Sequence, residues 1–280
     1  MIGMISVDSR KMIVVDLDGT LLNINGGCSK KSKKYLSKLK DMGYVIVIAT
    51  GRVLSDAINV VDGASFANYV ISDGGGIIYD MDKKKIIDIK KIDIGEVRRV
   101  FDIYSDDIDY ITMCDMYYYN RYGDNNTRMD LFYDRKITDI DKFILDSEGI
   151  LHIIVRFKDM ELIDRYSRIL DSDRIDVLVM QDSFATSRWI EIFSEGVSKY
   201  NAIKIISDIE GIDNKDIICF GDGRNDIDMI KNCGMGVAMG NALDVVKDAS
   251  DYVTISHNDD GIVYFLKGYF NGDIDKFVRR

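Results

Sequence analysis

Residues 12–22 read Met-Ile-Val-Val-Asp-Leu-Asp-Gly-Thr-Leu-Leu, four apolar positions running into two carboxylates spaced i, i+2. An unbroken apolar run of this kind marks a strand covered on both faces, as in a parallel sheet. A strand so buried does not end in two acids without cause. Neighbouring carboxylates repel, and a cation or a proton must hold them together. In open α/β sheets, ligands bind beyond the carboxyl ends of the strands, so the segment predicts both a sheet type and the edge that carries a site.

The flanking sequence extends the pattern. A strand over 12–15, an amphipathic helix over 30–41 closed by Gly43, a buried strand over 44–49, a helix over 54–61 and a strand over 69–72 alternate as in a doubly wound parallel sheet. The same order returns late, with helices predicted over 199–209, 225–231, 243–249 and 261–269 and strands over 216–220, 236–239 and 252–254. The middle differs. Its strands, predicted over 85–89, 110–119, 151–156, 177–181 and 189–193, alternate apolar and polar residues, which suits an antiparallel sheet covered on one face. Helices over 95–104, 139–146 and 160–170 separate them. The economical arrangement is an α/β, Rossmann-like core in two pieces, 1–79 and 190–280, interrupted by an inserted α+β cap over 80–189.

Composition excludes several functions. The net charge is −10, which disfavours nucleic acid or an anionic membrane as a partner. No apolar run approaches the ~18–20 residues that span a bilayer, and 1–11 lacks the pattern of a signal peptide, so a cytoplasmic protein is expected. Cys28, Cys114, Cys219 and Cys233 are scattered, with no Cys-x-x-Cys pair, and read as reduced, partly buried thiols. His152 and His257 are far apart, and His152 lies in an alternating apolar stretch, so it reads as structural. The chain has no proline, against an average near ~5%; turns then rest on Gly, Asn and Asp, and no function follows from it.

Three further segments resemble the first in placement. Thr50-Gly51-Arg52 ends the second strand, where a hydroxyl and free backbone N–H groups suit a phosphate oxygen; a threonine N-cap for the next helix explains it equally well. Lys199 opens a helix, the end whose dipole disfavours a cation, which suggests either a positional role or a solvated side chain. Gly221-Asp222-Gly223-Arg224-Asn225-Asp226 again ends a buried strand in glycines and acids, and Mg²⁺ takes one or two carboxylates together with phosphate oxygens and water.

In this order the four segments resemble the haloacid dehalogenase-like phosphatase superfamily, and its Cof-type branch in particular. Gly236-Val237-Ala238-Met239-Gly240-Asn241-Ala242 with Val246-Lys247, and Asn258-Asp259-Asp260-Gly261-Ile262, match the later signatures of that branch. The resemblance covers both core segments, while the insertion matches in place and size only. It implies a Mg²⁺-dependent phosphatase for a small phosphorylated metabolite, a sugar phosphate or phosphorylated cofactor. Asp16 is then the nucleophile and Asp18 the acid and base. Asp16, the backbone carbonyl of Asp18 and Asp222 hold the metal, with Asp226 in support. Thr50, Gly51, Arg52, Lys199 and Asn225 bind the phosphoryl group, Thr50 and Lys199 also sharing in catalysis. A phosphotransferase or mutase on the same scaffold, and a non-catalytic sugar-phosphate sensor, are the alternatives. Two departures stand out: Tyr200 follows Lys199 where relatives carry a small residue, and Ser72-Asp73-Gly74-Gly75-Gly76 replaces an Asn-Gly-Ala-like turn. Substrate choice is expected from the cap, with Tyr117 to Tyr119, Arg121, Arg128, Arg156 and Arg188 as candidates. The oligomeric state is not predicted.

Overall fold

A computed structural model describes residues 11–102, 108–114, 118–120, 149–157, 159–170, 172–181 and 188–279. Strands β1 (Met12–Val15), β2 (Val45–Ala49) and β3 (Tyr69–Ser72) are buried at every position, as their continuous apolar sequence requires. A hairpin of β4 (Ile77–Asp80) and β5 (Lys85–Ile89) follows β3. The next five strands are β6 (Ile108–Cys114), β7 (Tyr118–Asn120), β8 (His152–Phe157), β9 (Ile175–Gln181) and β10 (Arg188–Ser194). The chain then returns with β11 (Ile217–Gly221), β12 (Met235–Ala238), β13 (Tyr252–Val253) and β14 (Val278–Arg279).

These strands form two sheets. Nine join in the order β14-β13-β12-β11-β1-β2-β3-β4-β5, and five in the order β7-β6-β8-β10-β9. In the larger sheet β1 is central and parallel to both neighbours, Val15 pairing with Ile48 of β2 and Phe220 of β11. The two distant chain segments are thus stitched together at the strand that carries Asp16. The α/β core with an inserted antiparallel module is the expected fold class. The expected edges of the insertion shift, however. Residues 85–89 belong to the larger sheet through their hairpin with β4, although their alternating pattern resembles that of the insertion. At the other end, all of β10 pairs within the smaller sheet, so the core resumes after Ser194 rather than at 190. The strand expected over 110–119 is a hairpin of β6 and β7. The helix expected over 139–146 lies outside the described residues.

Helices α1 (Lys30–Asp41), α2 (Leu54–Val60), α3 (Ile94–Asp102), α4 (Ile163–Leu170) and α5 (Lys199–Glu210) link the strands. Ser29 caps α1, accepting from the Ser32 amide at 2.9 Å, and Ser198 caps α5 in the same way through Asn201. In the smaller sheet Ile153, Val155, Ile190 and Ile192 pack with Val97 and Val100 of α3 and Ile163 and Tyr166 of α4. The helices therefore cover one face of that sheet and leave the other for the core domain. Cys219 and Cys233 are joined as a disulfide, their Cα atoms 6.5 Å apart, contrary to the expectation of reduced thiols. The helix over Ile227–Asn232, between β11 and β12, runs back along the strand and ends at Cys233, which brings the pair together and which spacing alone does not disclose. Cys28 is free and half-buried, and burial pushes its thiol up to about 11. No helix among the described residues is long and apolar enough to cross a membrane.

Candidate active site

Asp16 directly follows β1, and its amide donates to the Phe220 carbonyl at 3.1 Å. The chain then turns back on itself, Leu21 N–H reaching the Asp16 carbonyl at 3.2 Å. Gly19 makes this turn possible, with φ at +79°; a Cβ there would stand 2.2 Å from Asp222 Oδ2. The glycine thus supplies the backbone angle and also the space that admits Asp222. Thr20 Oγ1 donates to Asp222 Oδ1 at 2.8 Å, and Asn241 Nδ2 donates to the Gly19 carbonyl at 2.8 Å, which gives the later signature a structural task.

Lys199 lies at the centre of the buried charges. Its side chain is 1% exposed, and Nζ donates to Asp16 Oδ1 at 2.8 Å and Asp226 Oδ1 at 2.6 Å. This excludes the solvated-lysine reading and explains a cation at a helix start: two carboxylates outweigh the dipole. The other oxygen of Asp226 accepts from the amides of Asp222 and Gly223, both at 2.9 Å. Asp226 therefore holds both Lys199 and the Asp222 turn.

Asp16, Asp222 and Asp226 each offer an oxygen within 4.8 Å of the others. Burial above all, and Asp226 next, push Asp16 well above the usual carboxylate range, against the pull of Lys199. Asp222 is pushed up to about 7 by burial and then by Asp226, with Thr20 opposing. Burial pulls Lys199 down, but Asp16 and Asp226 outweigh it and hold the ammonium above its ordinary range. One ammonium facing three carboxylates leaves an excess of negative charge in a poorly solvated place. A hard divalent cation with an all-oxygen preference fits this donor set.

Thr50 is buried, and its Oγ1 accepts from the Arg52 amide at 3.2 Å. The N-cap of α2 is Val53, so Thr50 does not serve that helix. Arg52 forks onto Asp18, Nε to Oδ2 and Nη2 to Oδ1, each at 2.7 Å, while Nη1 reaches Asp56 at 2.8 Å. Asp18, Thr50, Gly51, Arg52, Asn225 and Asp226 line one cavity of about 510 Å³ with Asp16. Lys199 and Asp222 sit behind that lining.

The turn after β3 is packed into the molecule. Asp73 is fully buried with φ at +51°, accepts from Ser72 Oγ at 2.9 Å and faces His152 Nδ1 at 3.0 Å. A Cβ on Gly74 would lie 2.7 Å from the Phe193 ring. The turn is thus wedged against the base of the smaller sheet. Tyr200 is half-buried against the core and does not line the cavity.

The sequence pattern of the haloacid dehalogenase-like hydrolases matches residues 13–266, which include both halves of this site. The chain belongs to that family. Similar members include two proteins of Bacillus subtilis (strain 168) named 5-amino-6-(5-phospho-D-ribitylamino)uracil phosphatase: YcsE, 27% identical over 92% of this chain and 94% of its own, and YitU, 26% identical over 93% and 97%. Among solved structures, the haloacid dehalogenase-like phosphatase BT1666 of Bacteroides thetaiotaomicron superposes with a TM-score of 0.79 at 25% identity, covering 96% of this chain and 98% of that one. Of the cap residues expected to select substrate, Arg156 lines the cavity. Arg188 instead pairs with Asp164 at 3.0 Å. The side chains of Tyr117, Tyr118, Tyr119, Arg121 and Arg128 lie outside the described residues. Ile154, Met180, Trp189 and Glu191 also line the cavity and were missed. Their signal was period-two alternation: each is in step with Arg156 and out of step with the apolar positions that pack on α3 and α4.

Proposed function

We propose that this chain is a Mg²⁺-dependent phosphatase that hydrolyses a small phosphorylated alcohol through an aspartyl-phosphate on Asp16. The observation that carries this reading is Lys199, buried and bonded to both Asp16 and Asp226, with Asp222 in the same carboxylate cluster. The names of the Bacillus relatives support the phosphatase class. They also support a ribityl-type phosphate as one candidate substrate.

The carboxylate of Asp16 attacks phosphorus as the bond from phosphorus to the leaving oxygen breaks, and Asp18 gives its proton to that oxygen. Water then attacks the phosphorus, its proton passes to Asp18, and the bond to Asp16 breaks to release phosphate. Lys199 and Thr50 donate to the phosphoryl oxygens, and Asn225 helps fix them. Arg52 lines the same cavity beside the phosphoryl group and also aims Asp18. Asp16, the Asp18 backbone carbonyl and Asp222 would hold Mg²⁺, while Asp226 keeps Lys199 and the Asp222 turn in place. Bound there, the cation supplies neutralisation of the charge that accumulates as the phosphate meets a carboxylate.

The test is phosphate release from acetyl phosphate and p-nitrophenyl phosphate, with Mg²⁺ and with excess EDTA. The expected result is turnover that requires both Mg²⁺ and Asp16. Equal rates in EDTA, or in Asp16→Asn, overturn the mechanism.

A further inference from the structure

The sheet geometry of the insertion points to a second reading device in the same cavity, aimed at the leaving group rather than the phosphate. In β8 and β10 the buried positions Ile153, Val155, Ile190 and Ile192 pack on the helices, so alternation sends Ile154, Arg156, Trp189 and Glu191 to the opposite face. Register pairs Glu191 with Ile154 and Trp189 with Met180. All five line the cavity whose other wall is Asp16, Asp18, Thr50 and Asn225.

Three of these side chains are tied together. Trp189 Nε1 donates to Glu191 Oε1 at 2.9 Å. The Arg156 guanidinium lies over the Trp189 ring, 5.0 Å from its centroid. The indole thereby orients a carboxylate on one side and a guanidinium on the other. The strip offers fixed acceptors and fixed donors, and its formal charges cancel. A hydroxyl group both donates and accepts, so a chain of hydroxyls can satisfy both ends of the strip. A second phosphate or a carboxylate would meet Glu191 in a chain that already carries a net charge of −10.

We propose that Glu191, oriented by Trp189 and balanced by Arg156, selects an uncharged polyhydroxylated leaving group and rejects one that carries a second anion. This deepens the phosphatase reading and rests on it.

Glucitol 6-phosphate and 6-phosphogluconate form a matched pair of probes, equal in length and differing at one end as –CH₂OH against –COO⁻. Steady-state kcat/KM for both, with acetyl phosphate alongside, tests the proposal in wild type, Glu191→Gln and Trp189→Phe. Wild type should favour glucitol 6-phosphate at least tenfold. Glu191→Gln should cut that ratio at least tenfold, in part by raising activity on 6-phosphogluconate. Trp189→Phe, which keeps a ring but removes the N–H that holds Glu191, should cut it by an intermediate factor. A merely structural role for Glu191 would lower both rates together and leave the ratio unmoved. An unmoved ratio in both variants overturns the proposal, as does a wild type that prefers 6-phosphogluconate. Wild type that turns over acetyl phosphate but neither six-carbon compound overturns it too, leaving the phosphatase reading intact. Wild type inert to all three with Mg²⁺ present overturns the phosphatase reading itself.

Discussion

Arg52 grips both carboxylate oxygens of Asp18 at 2.7 Å and is itself braced by Asp56. A planar fork on a carboxylate fixes direction as well as distance. In the proposed mechanism Asp18 faces the leaving oxygen in one half-reaction and water in the next, so this brace matters to both. Arg52→Lys keeps the charge and loses the fork. It should lower kcat by about 10- to 100-fold, part of the ~10²–10⁴ that a positioned acid and base contributes, with a smaller change in KM. Steady-state kinetics on p-nitrophenyl phosphate check this; an unchanged kcat would mean that Asp18 is aimed by something else.

Asp16→Asn separates chemistry from folding. With Asp16 as the proposed nucleophile, the amide cannot form the acyl phosphate, and turnover should fall by at least about 10³-fold. The same change removes one carboxylate from a buried cluster whose members push one another upward. The melting temperature of the metal-free variant should therefore match or exceed that of the metal-free wild type. Calorimetry beside a phosphate-release assay reads both, and inactivity accompanied by a large drop in melting temperature would assign Asp16 to stability instead.

The metal-free protein should lose stability as pH rises. Asp222, pushed up to about 7 in the folded chain against 3.8 for an ordinary aspartate, binds a proton in the folded state that the unfolded state releases. Between those two values the folded state holds more protons, so stability declines with rising pH across that window and levels off above about 7. A bound cation removes the cause. The rise in melting temperature given by millimolar Mg²⁺ should be larger at pH 8 than at pH 6, and Asp222→Asn should flatten that difference. A Mg²⁺ effect that shrinks from pH 6 to pH 8 would contradict it.

Gly19→Ala adds one methyl group to the tightest point of the site. The new Cβ would stand 2.2 Å from Asp222 Oδ2, on a backbone with φ at +79°. The positive φ alone costs about 1–3 kcal/mol, and Asp222 must move as well. Loss of at least ~2 kcal/mol in urea unfolding, with weakened Mg²⁺ stabilisation, is expected. Wild-type stability in this variant would show that the Asp222 approach is not tight.

The edge that carries the candidate site was legible because each of its parts is local. An apolar run names a buried strand, and the acids, threonine or glycines at its end name the edge where ligands meet the sheet; parallel pairing at β1 then assembles them. Lys199 was half legible, since its misfit with the helix dipole marked it but did not name Asp16 and Asp226 as its partners. The cap wall was harder to read. Alternation shows that Arg156 and Ile154 share a face, but not whether that face meets helices or the core, because docking of two domains is a long-range outcome. Arg188 and Trp189 differ by one position and face opposite surroundings, so residue type alone favoured the wrong one. The hairpin of β4 and β5 was misassigned for a related reason: an edge strand of the large sheet is half-exposed and alternates much as the strands of the insertion do.

The pairing of β1 with both β2 and β11 also sets when this protein can work. Its left-hand neighbour is made within the first fifty residues, but its right-hand neighbour, β11, follows about 200 residues after Met12. At ~5–20 residues per second the ribosome takes on the order of 10–40 s to deliver it. Throughout that interval one edge of the Asp16 strand is open, an apolar ribbon with unpaired amides of the kind that recruits foreign strands. The nascent chain is therefore both inert and in need of shelter until its final third emerges, and a prematurely terminated copy carries Asp16 without Lys199, Asp222 or Asp226.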